Sequence, residues 1–147
     1  MIKKYKSIFE KTSDNNFVRK PCGICPFRKD VKPYLHPERG AELAYASQNK
    51  YNDFPCHGTV DYNHPDSKDG EGVVTDKSKT CAGFLTLQVH NGTRCPDNFT
   101  PSALIYEDTY DMVNAYTYPE EFEPLTDSDR KSLAEYQKEL DEQYGKK

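Results

Sequence analysis

The clearest helical pattern in the sequence lies near its C-terminal end. Thr126 is suited to cap a helix, and Asp129 follows three residues later in a capping-box arrangement. Apolar side chains then recur at helical spacing, at Leu133, Tyr136, Leu140 and Tyr144. Gly145 is suited to end the helix. We therefore expect an amphipathic helix in residues 126–147 that packs on the rest of the chain, or on a partner if it projects.

Two earlier segments also predict helices. In residues 37–48, Pro37 suits the first helical position and Glu38 suits the N-terminal end of the helix dipole. His36 precedes this segment, where a histidine is expected to cap the helix or to lie at the surface. Residues 102–117 contain enough apolar positions for a second helix, which residues 116–119 would end at a proline.

The pattern in residues 84–90 is apolar and admits two structures. Leu85, Leu87 and Val89 alternate, and Asn91-Gly92 follows as a hairpin turn signal, so we expect a strand. The alternative is a helix with apolar residues on one face.

Irregular segments separate these elements. Residues 5–10 and 17–19 predict two short strands of a hairpin around a polar turn. Two prolines keep residues 20–36 out of regular structure, and Gly23 is expected to take the positive φ that a metal-binding turn often needs. Residues 58–79 are polar and rich in Asp, Lys and Gly, which predicts a long mobile loop.

The composition limits the size of the core. The chain has 147 residues, an apolar share of 35% and no tryptophan, so one domain with a modest core is expected. A bound metal would offset that shortfall. We predict a small, irregular α+β domain in residues 1–125, held together by a cysteine-rich metal site, with residues 126–147 as the C-terminal helix.

The cysteines carry the candidate chemistry. Cys22 and Cys25 are two residues apart, a spacing that lets one tight turn direct both sulfurs at one ion. Zinc prefers four such ligands, so the other two are expected from Cys56 and Cys81. His57 is adjacent to Cys56 and, because neighbouring side chains in an extended chain point opposite ways, serves as an alternative ligand or supports the site. Cys95 is a possible substitute.

The ligand types leave two cofactors open. Soft thiolates suit both zinc and iron–sulfur clusters. Two of the four positions arrive as single cysteines, which a [4Fe–4S] cluster also tolerates, and Cys25 is followed by Pro26 as in ferredoxin sequences. We expect zinc, with a [4Fe–4S] cluster as the alternative.

The sequence also bounds the setting. Residues 1–6 are basic, but no apolar run follows them, so we expect no signal peptide, no membrane span and a cytoplasmic protein. In a reducing compartment clustered cysteines are more often metal ligands or redox groups than disulfides. Thioredoxin-like chemistry is disfavoured because Pro26 directly follows the cysteine pair. A zinc deaminase is excluded because no histidine precedes Cys22.

Charge is unevenly distributed. Residues 1–50 hold eleven Lys or Arg and five Asp or Glu, whereas residues 51–147 hold nine and nineteen. The basic half suggests a nucleic-acid-binding alternative, and the acidic half suits a basic partner. The residues that would contact nucleic acid are Lys3, Lys4, Tyr5, Lys6, Phe17, Arg19, Lys20, Phe27, Arg28 and Lys29.

The motifs resemble a known group of proteins. The string Cys-x-x-Cys-Pro-Phe-Arg, then Phe-x-Cys-His, then Cys-Ala-Gly is similar to an uncharacterised cysteine-rich domain family of bacteria and their phages. The resemblance covers about residues 20–90 and carries over Cys22, Cys25, Cys56, His57 and Cys81 as the motif positions. It implies helix where we expect the strand at residues 84–90. It implies no activity.

These observations favour a non-enzymatic function. We expect a metal-binding accessory protein, of bacterial or phage type, that binds a protein partner. Nucleic-acid binding through the basic half and an iron–sulfur redox protein are the alternatives.

Overall fold

The chain folds around one buried helix. The computed structural model describes residues 17–55, 65, 79–96 and 99–144. Within these ranges it contains four α-helices and one short 3-10 helix: α1 (Pro37–Ala46), α2 (Ala82–His90), α3 (Thr109–Thr117), the 3-10 helix Pro119–Glu121, and α4 (Asp127–Tyr144). The extended segments in these ranges pair only through three isolated bridges. The domain is therefore mixed but helix-rich, and the α+β expectation holds only in that coarse form.

Helix α2 replaces the strand expected at residues 84–90, so that prediction is wrong. Every side chain from Ala82 to Gln88 is buried, so protein surrounds the helix on all sides. A segment that is buried on every face lacks the helical periodicity of a surface helix. The alternating leucines therefore carried no information that separates a buried helix from a buried strand.

The predicted hairpin turn at Asn91 and Gly92 is the C-terminal cap of α2. Gly92 has a φ of +72°. Its N–H donates to the carbonyl of Val89 (2.9 Å), and the N–H of Thr93 donates to the carbonyl of Gln88 (2.9 Å), which is the Schellman pattern. Both a two-residue hairpin and a helix end use positive φ, which explains the wrong assignment.

Gly23 does not take the positive φ expected of it. Among the described glycines, only Gly92 has a positive φ. The turn at the first cysteine pair therefore forms with ordinary backbone angles.

Helix α1 confirms the prediction for residues 37–48. Its first turn is capped by His36, whose Nδ1 accepts a hydrogen bond from the N–H of Glu38 (3.2 Å). It ends at Ala46, where the Ser47 hydroxyl donates to the carbonyl of Ala44 (2.6 Å). His36 is thus a capping residue.

The helix expected over residues 102–117 forms only in its second half, as α3. Asp108 caps it by accepting a hydrogen bond from the N–H of Asp111 (2.8 Å). The residues before the cap instead pair antiparallel with the segment after the first cysteines, at the bridge between Arg28 and Ile105. That pairing uses backbone groups that a longer helix would need for itself.

Helices α1 and α3 pack directly on each other at Gly40. A Cβ at that position would lie 2.4 Å from Cγ of Tyr116, so the absence of a side chain lets the ring approach the helix backbone. Tyr116 is buried, and its hydroxyl donates to the carbonyl of Pro26 (2.7 Å). This contact connects the two helices to the cysteine loop.

The core is built mainly from aromatic side chains. Phe27 makes edge-to-face contacts with Phe54 (5.7 Å between centroids) and Phe84 (5.6 Å). These rings, Cys25 and Cys81 belong to one buried cluster. Phenylalanines thus supply much of the apolar area that a chain without tryptophan has available.

Helix α4 begins with the capping box expected at Thr126. The Thr126 hydroxyl accepts from the N–H of Asp129 (3.1 Å), and the Asp129 carboxylate accepts from the N–H of Thr126 (3.0 Å). Leu140 is buried, but Tyr136 is 43% exposed. None of the helices in the described ranges has the length and apolar character needed to cross a membrane.

Several predicted segments lie outside the described residues. They are the strand at residues 5–10, most of the loop at residues 58–79, and the helix stop at Gly145. Of the second predicted strand, residues 17–19, Phe17 forms one bridge, to Thr80.

The Gly40 contact predicts a specific instability. Gly40→Ala should lower the free energy of unfolding by about 1–3 kcal/mol, because the new methyl group overlaps the buried Tyr116 ring. Gly23→Ala is the control, since a Cβ there meets no atom within 4 Å. Urea unfolding measures both. Equal stability of Gly40→Ala and the wild type would contradict this packing.

Candidate metal centre

Two cysteines far apart in the sequence meet in the core. Their Sγ atoms, of Cys25 and Cys81, lie 3.7 Å apart, and either thiol can donate to the other. Cys25 is fully buried and Cys81 is 3% exposed. The four described cysteines form no disulfide among the described residues. Two neighbouring sulfurs in an apolar setting can bind one soft metal ion.

Cys81 is held at the point where three segments converge. Its N–H donates to the carbonyl of Phe54 (2.7 Å), and it forms the N-cap of α2. The preceding residue, Thr80, pairs with Phe17 on one side and with Pro55 on the other. The Cys81 sulfur is therefore fixed by backbone pairing as well as by the helix.

Cys25 reaches the start of α2 because Gly83 has no side chain. A Cβ on Gly83 would lie 2.5 Å from the Cys25 Sγ and 2.9 Å from the Cβ of Phe27. The first turn of α2 thus leaves space for the second sulfur. The Cys-Ala-Gly motif in the sequence marks this position, although its packing role is visible only in three dimensions.

The loop of residues 22–26 is braced at its backbone. The N–H of Cys25 donates to the carbonyl of Cys22 (3.2 Å), which closes a tight turn. Three side chains donate to carbonyls of the loop: Tyr34 to Ile24 (2.5 Å), Tyr116 to Pro26 (2.7 Å) and Arg28 to Cys22 (3.2 Å). Spacing alone gave no signal for the two tyrosines.

A charged pair lies directly beside this loop. Arg28 donates to both carboxylate oxygens of Asp30, at 2.8 Å from Nε and 2.5 Å from Nη2. The hydrogen bond to Asp30 raises the pKa of Arg28 against the effect of burial, and the nearby sulfurs of Cys25 and Cys22 raise it further. Burial opposes ionisation of Asp30, but the hydrogen bond and charge of Arg28 outweigh it and lower the pKa of Asp30.

The surroundings of Cys81 favour its protonated form. The hydrogen bond with Cys25 and then burial raise the pKa of the Cys81 thiol well above its usual value. The N–H groups of Phe84 and Gly83 act in the opposite direction. A bound cation reverses this preference, because metal ligation requires the thiolate.

The remaining predicted ligands are only partly accounted for. Cys22 is half-buried and packs against the same core cluster, whereas Cys56 and His57 lie outside the described residues. Cys95 is exposed. No group of three or more His, Cys, Asp or Glu side chains is placed to hold a metal ion within the ranges that the structure describes. The described part of the predicted site is therefore the Cys25–Cys81 pair with Cys22 nearby in the chain.

The residues expected to contact nucleic acid are not all accessible. Phe17 and Phe27 are buried, at 7% and 0% exposure, and cannot stack on bases. Arg28 is paired with Asp30. Four more of these residues lie outside the described ranges: Lys3, Lys4, Tyr5 and Lys6.

The close approach at Gly83 gives a prediction for the sulfur pair. Gly83→Ala should lower the free energy of unfolding by about 1–3 kcal/mol, since the methyl group would displace the Cys25 sulfur and Phe27. The measurement is urea unfolding, with a thiol reagent reporting faster labelling of Cys25. A variant with unchanged stability and labelling would show that the two sulfurs are not packed at this turn.

The Arg28–Asp30 pair predicts a pH dependence. Asp30→Asn should cost about 1–3 kcal/mol of unfolding free energy at pH 7. Because the pKa of Asp30 in the folded state is below its usual value of 3.8, this contribution is complete above that pH and is lost as the pH falls through the folded-state pKa. Wild type and variant should therefore converge in stability in acid. Unfolding between pH 2 and 7 tests this, with the exposed Glu120→Gln as control; a constant difference would refute it.

The comparisons with known proteins leave the family resemblance as a prediction. No protein-family model, no curated protein and no solved structure matches this chain.

Proposed function

We propose that this chain is a zinc-binding accessory protein whose metal holds the fold together for binding to a protein partner. Cys22, Cys25, Cys56 and Cys81 are the proposed ligands, with His57 as the alternative to Cys56. Zinc would supply a structural cross-link between segments far apart in the sequence.

The observation that carries this proposal is the 3.7 Å separation of the Cys25 and Cys81 sulfurs. Four sulfurs about 2.3 Å from one zinc, at the corners of a tetrahedron, lie about 3.8 Å from one another. The pair therefore already has the spacing of two ligands of one zinc. In a [4Fe–4S] cluster each cysteine binds a different iron, which requires sulfurs farther apart. The distance thus favours zinc over the cluster.

The chain connectivity supports the other two ligands. Cys22 belongs to the same tight turn as Cys25, whose N–H bonds to the Cys22 carbonyl. Cys56 directly follows Pro55, which pairs with Thr80 next to Cys81.

The surface supports binding to a protein. In the part of the chain that the structure describes, seven large apolar or aromatic side chains are between 43% and 68% exposed: Ile24, Tyr34, Tyr45, Tyr51, Tyr110, Tyr118 and Tyr136. Aromatic residues are enriched in protein interfaces. Ile24 lies between the two cysteines of the loop and accepts a hydrogen bond from Tyr34, so metal binding would order an exposed apolar contact.

The zinc proposal predicts a set of cysteine variants. Cys25→Ser or Cys81→Ser should reduce the zinc content from one ion per chain to a small fraction of that value. Either change should cost at least about 3 kcal/mol of unfolding free energy, because zinc binding is coupled to folding. Cys95→Ser is the matched control, since Cys95 is exposed. Elemental analysis, a visible spectrum and chemical unfolding of protein purified without oxygen give the readouts.

The outcomes separate the alternatives. Loss of metal in Cys95→Ser but not in Cys81→Ser would show that Cys95, and not Cys81, is a ligand. Iron together with sulfide in the purified protein would identify the cofactor as a [4Fe–4S] cluster. Absence of metal from wild-type protein that unfolds cooperatively would reject the metal proposal.

A further inference from the structure

Helix α4 is attached by few contacts to the described residues that precede it, 17–55, 65, 79–96 and 99–126, which we call the body. All eighteen of its residues lie in the described part of the chain, and one of them, Leu140, is buried. Gln137 makes its main polar contact: its Nε2 donates to the carbonyl of Pro101 (3.1 Å), and its Oε1 accepts from the N–H of Ala103 (2.7 Å). One carboxamide thus satisfies two backbone groups of the body.

The edges of the junction between α4 and the rest of the protein are open to solvent. Three open cavities border the helix, of about 240 Å³ beside Leu133, 340 Å³ beside Tyr136 and 470 Å³ beside Asp141. By contrast, α1 and α3 approach closely enough that a single methyl group at Gly40 would overlap a ring. Solvent therefore reaches the border of the α4 junction, whereas the contact between α1 and α3 at Gly40 is closed.

The start of α4 does not depend on the body. Its capping box consists of hydrogen bonds within the helix itself, between Thr126 and Asp129. Gln137 also donates to Asp141 one turn later (3.1 Å). These local bonds favour the helix even where it does not contact the body.

The charges on the two sides of the junction are complementary. Helix α4 contains six Asp or Glu and three Lys or Arg. In the largest cavity, Arg19 and Lys20 of the body share the lining with Asp141. Lys29 and His90 line the next cavity, which also contains Glu107. At these two cavities Arg19, Lys20 and Lys29 outnumber the acidic Glu107, which favours an acidic occupant.

We propose that α4 is a displaceable cover, and that the surface beneath it binds an acidic helix of a partner protein. This inference deepens the proposed function, because it rests on the chain being a partner-binding protein and names the binding surface. The partner helix should reproduce three side chains of α4. It needs a carboxamide at the position of Gln137, an aliphatic side chain three residues later as at Leu140, and a carboxylate four residues later as at Asp141.

A peptide of residues 126–144 of this chain, carrying a fluorescent label, serves as the probe. The receptors are the full-length wild type and the full-length Gln137→Ala/Leu140→Ala variant, whose own helix is weakened while the surface beneath it is unchanged. Fluorescence anisotropy should show at least tenfold tighter binding to the variant, because the wild-type helix competes with the probe. Added salt should weaken the binding.

Two control peptides test the contacts. A probe with the Gln137→Ala and Leu140→Ala changes should not bind, and a probe with Asp141→Lys should bind at least tenfold more weakly than the parent. Equal binding to both receptors, no binding to either, or no effect of Asp141→Lys would overturn the proposal. A wild-type dimer that the peptide dissociates would identify a second copy of this chain as the occupant and would equally overturn it.

Hydrogen exchange on the wild type tests displacement without any variant. The amides of α4 should exchange at least tenfold faster than those of α2, through an opening that leaves α2 protected. Equal protection would make α4 part of the cooperative core and refute the proposal. The zinc content of the same samples tests the zinc proposal separately from the peptide-binding proposal. A metal-free protein can still bind the peptide, and a zinc-loaded protein can fail to bind it.

Discussion

The structure depends on the contact between the Cys25 sulfur and the first turn of α2. The sulfur occupies the space that a side chain on Gly83 would fill, and it lies 3.7 Å from the sulfur of Cys81. The loop that carries Cys25 also receives the hydroxyl of Tyr116 from α3. The position of one sulfur thus fixes the start of the central helix, the cysteine loop and, through Tyr116, the pair formed by α1 and α3.

This dependence explains how a chain with few aliphatic residues builds a core. Phe27 packs edge to face on both Phe54 and Phe84, and the three rings share one buried cluster with Cys25 and Cys81. Each ring comes from a segment that contributes or adjoins a proposed ligand. A metal held by those segments would fix the same geometry that the rings fill, so that metal binding and aromatic packing stabilise one arrangement.

The sequence predicted local features better than buried ones. Caps and turn residues identified α1 and α4, because the hydrogen bonds of His36 and Thr126 involve only neighbours in the chain. Helix α2 was only the alternative to the expected strand, because its burial on every side is a property set by distant residues. In the same way, the spacing of the cysteines predicted that they act as a group. The hydrogen bonds from Tyr34 and Tyr116 to their loop could not be predicted, because these residues are distant from the loop in the sequence.

The burial of α2 also constrains how the protein is made. Its neighbours come from both directions along the chain. Phe17 and Pro55, which pair with Thr80 just before the helix, precede it in the sequence, and Ile105 and Tyr116 follow it. During synthesis, seven consecutive core residues leave the ribosome before the segments that cover them from the C-terminal side. The nascent chain therefore exposes an apolar segment at that stage, which a chaperone or a protease can recognise before the fold closes over it.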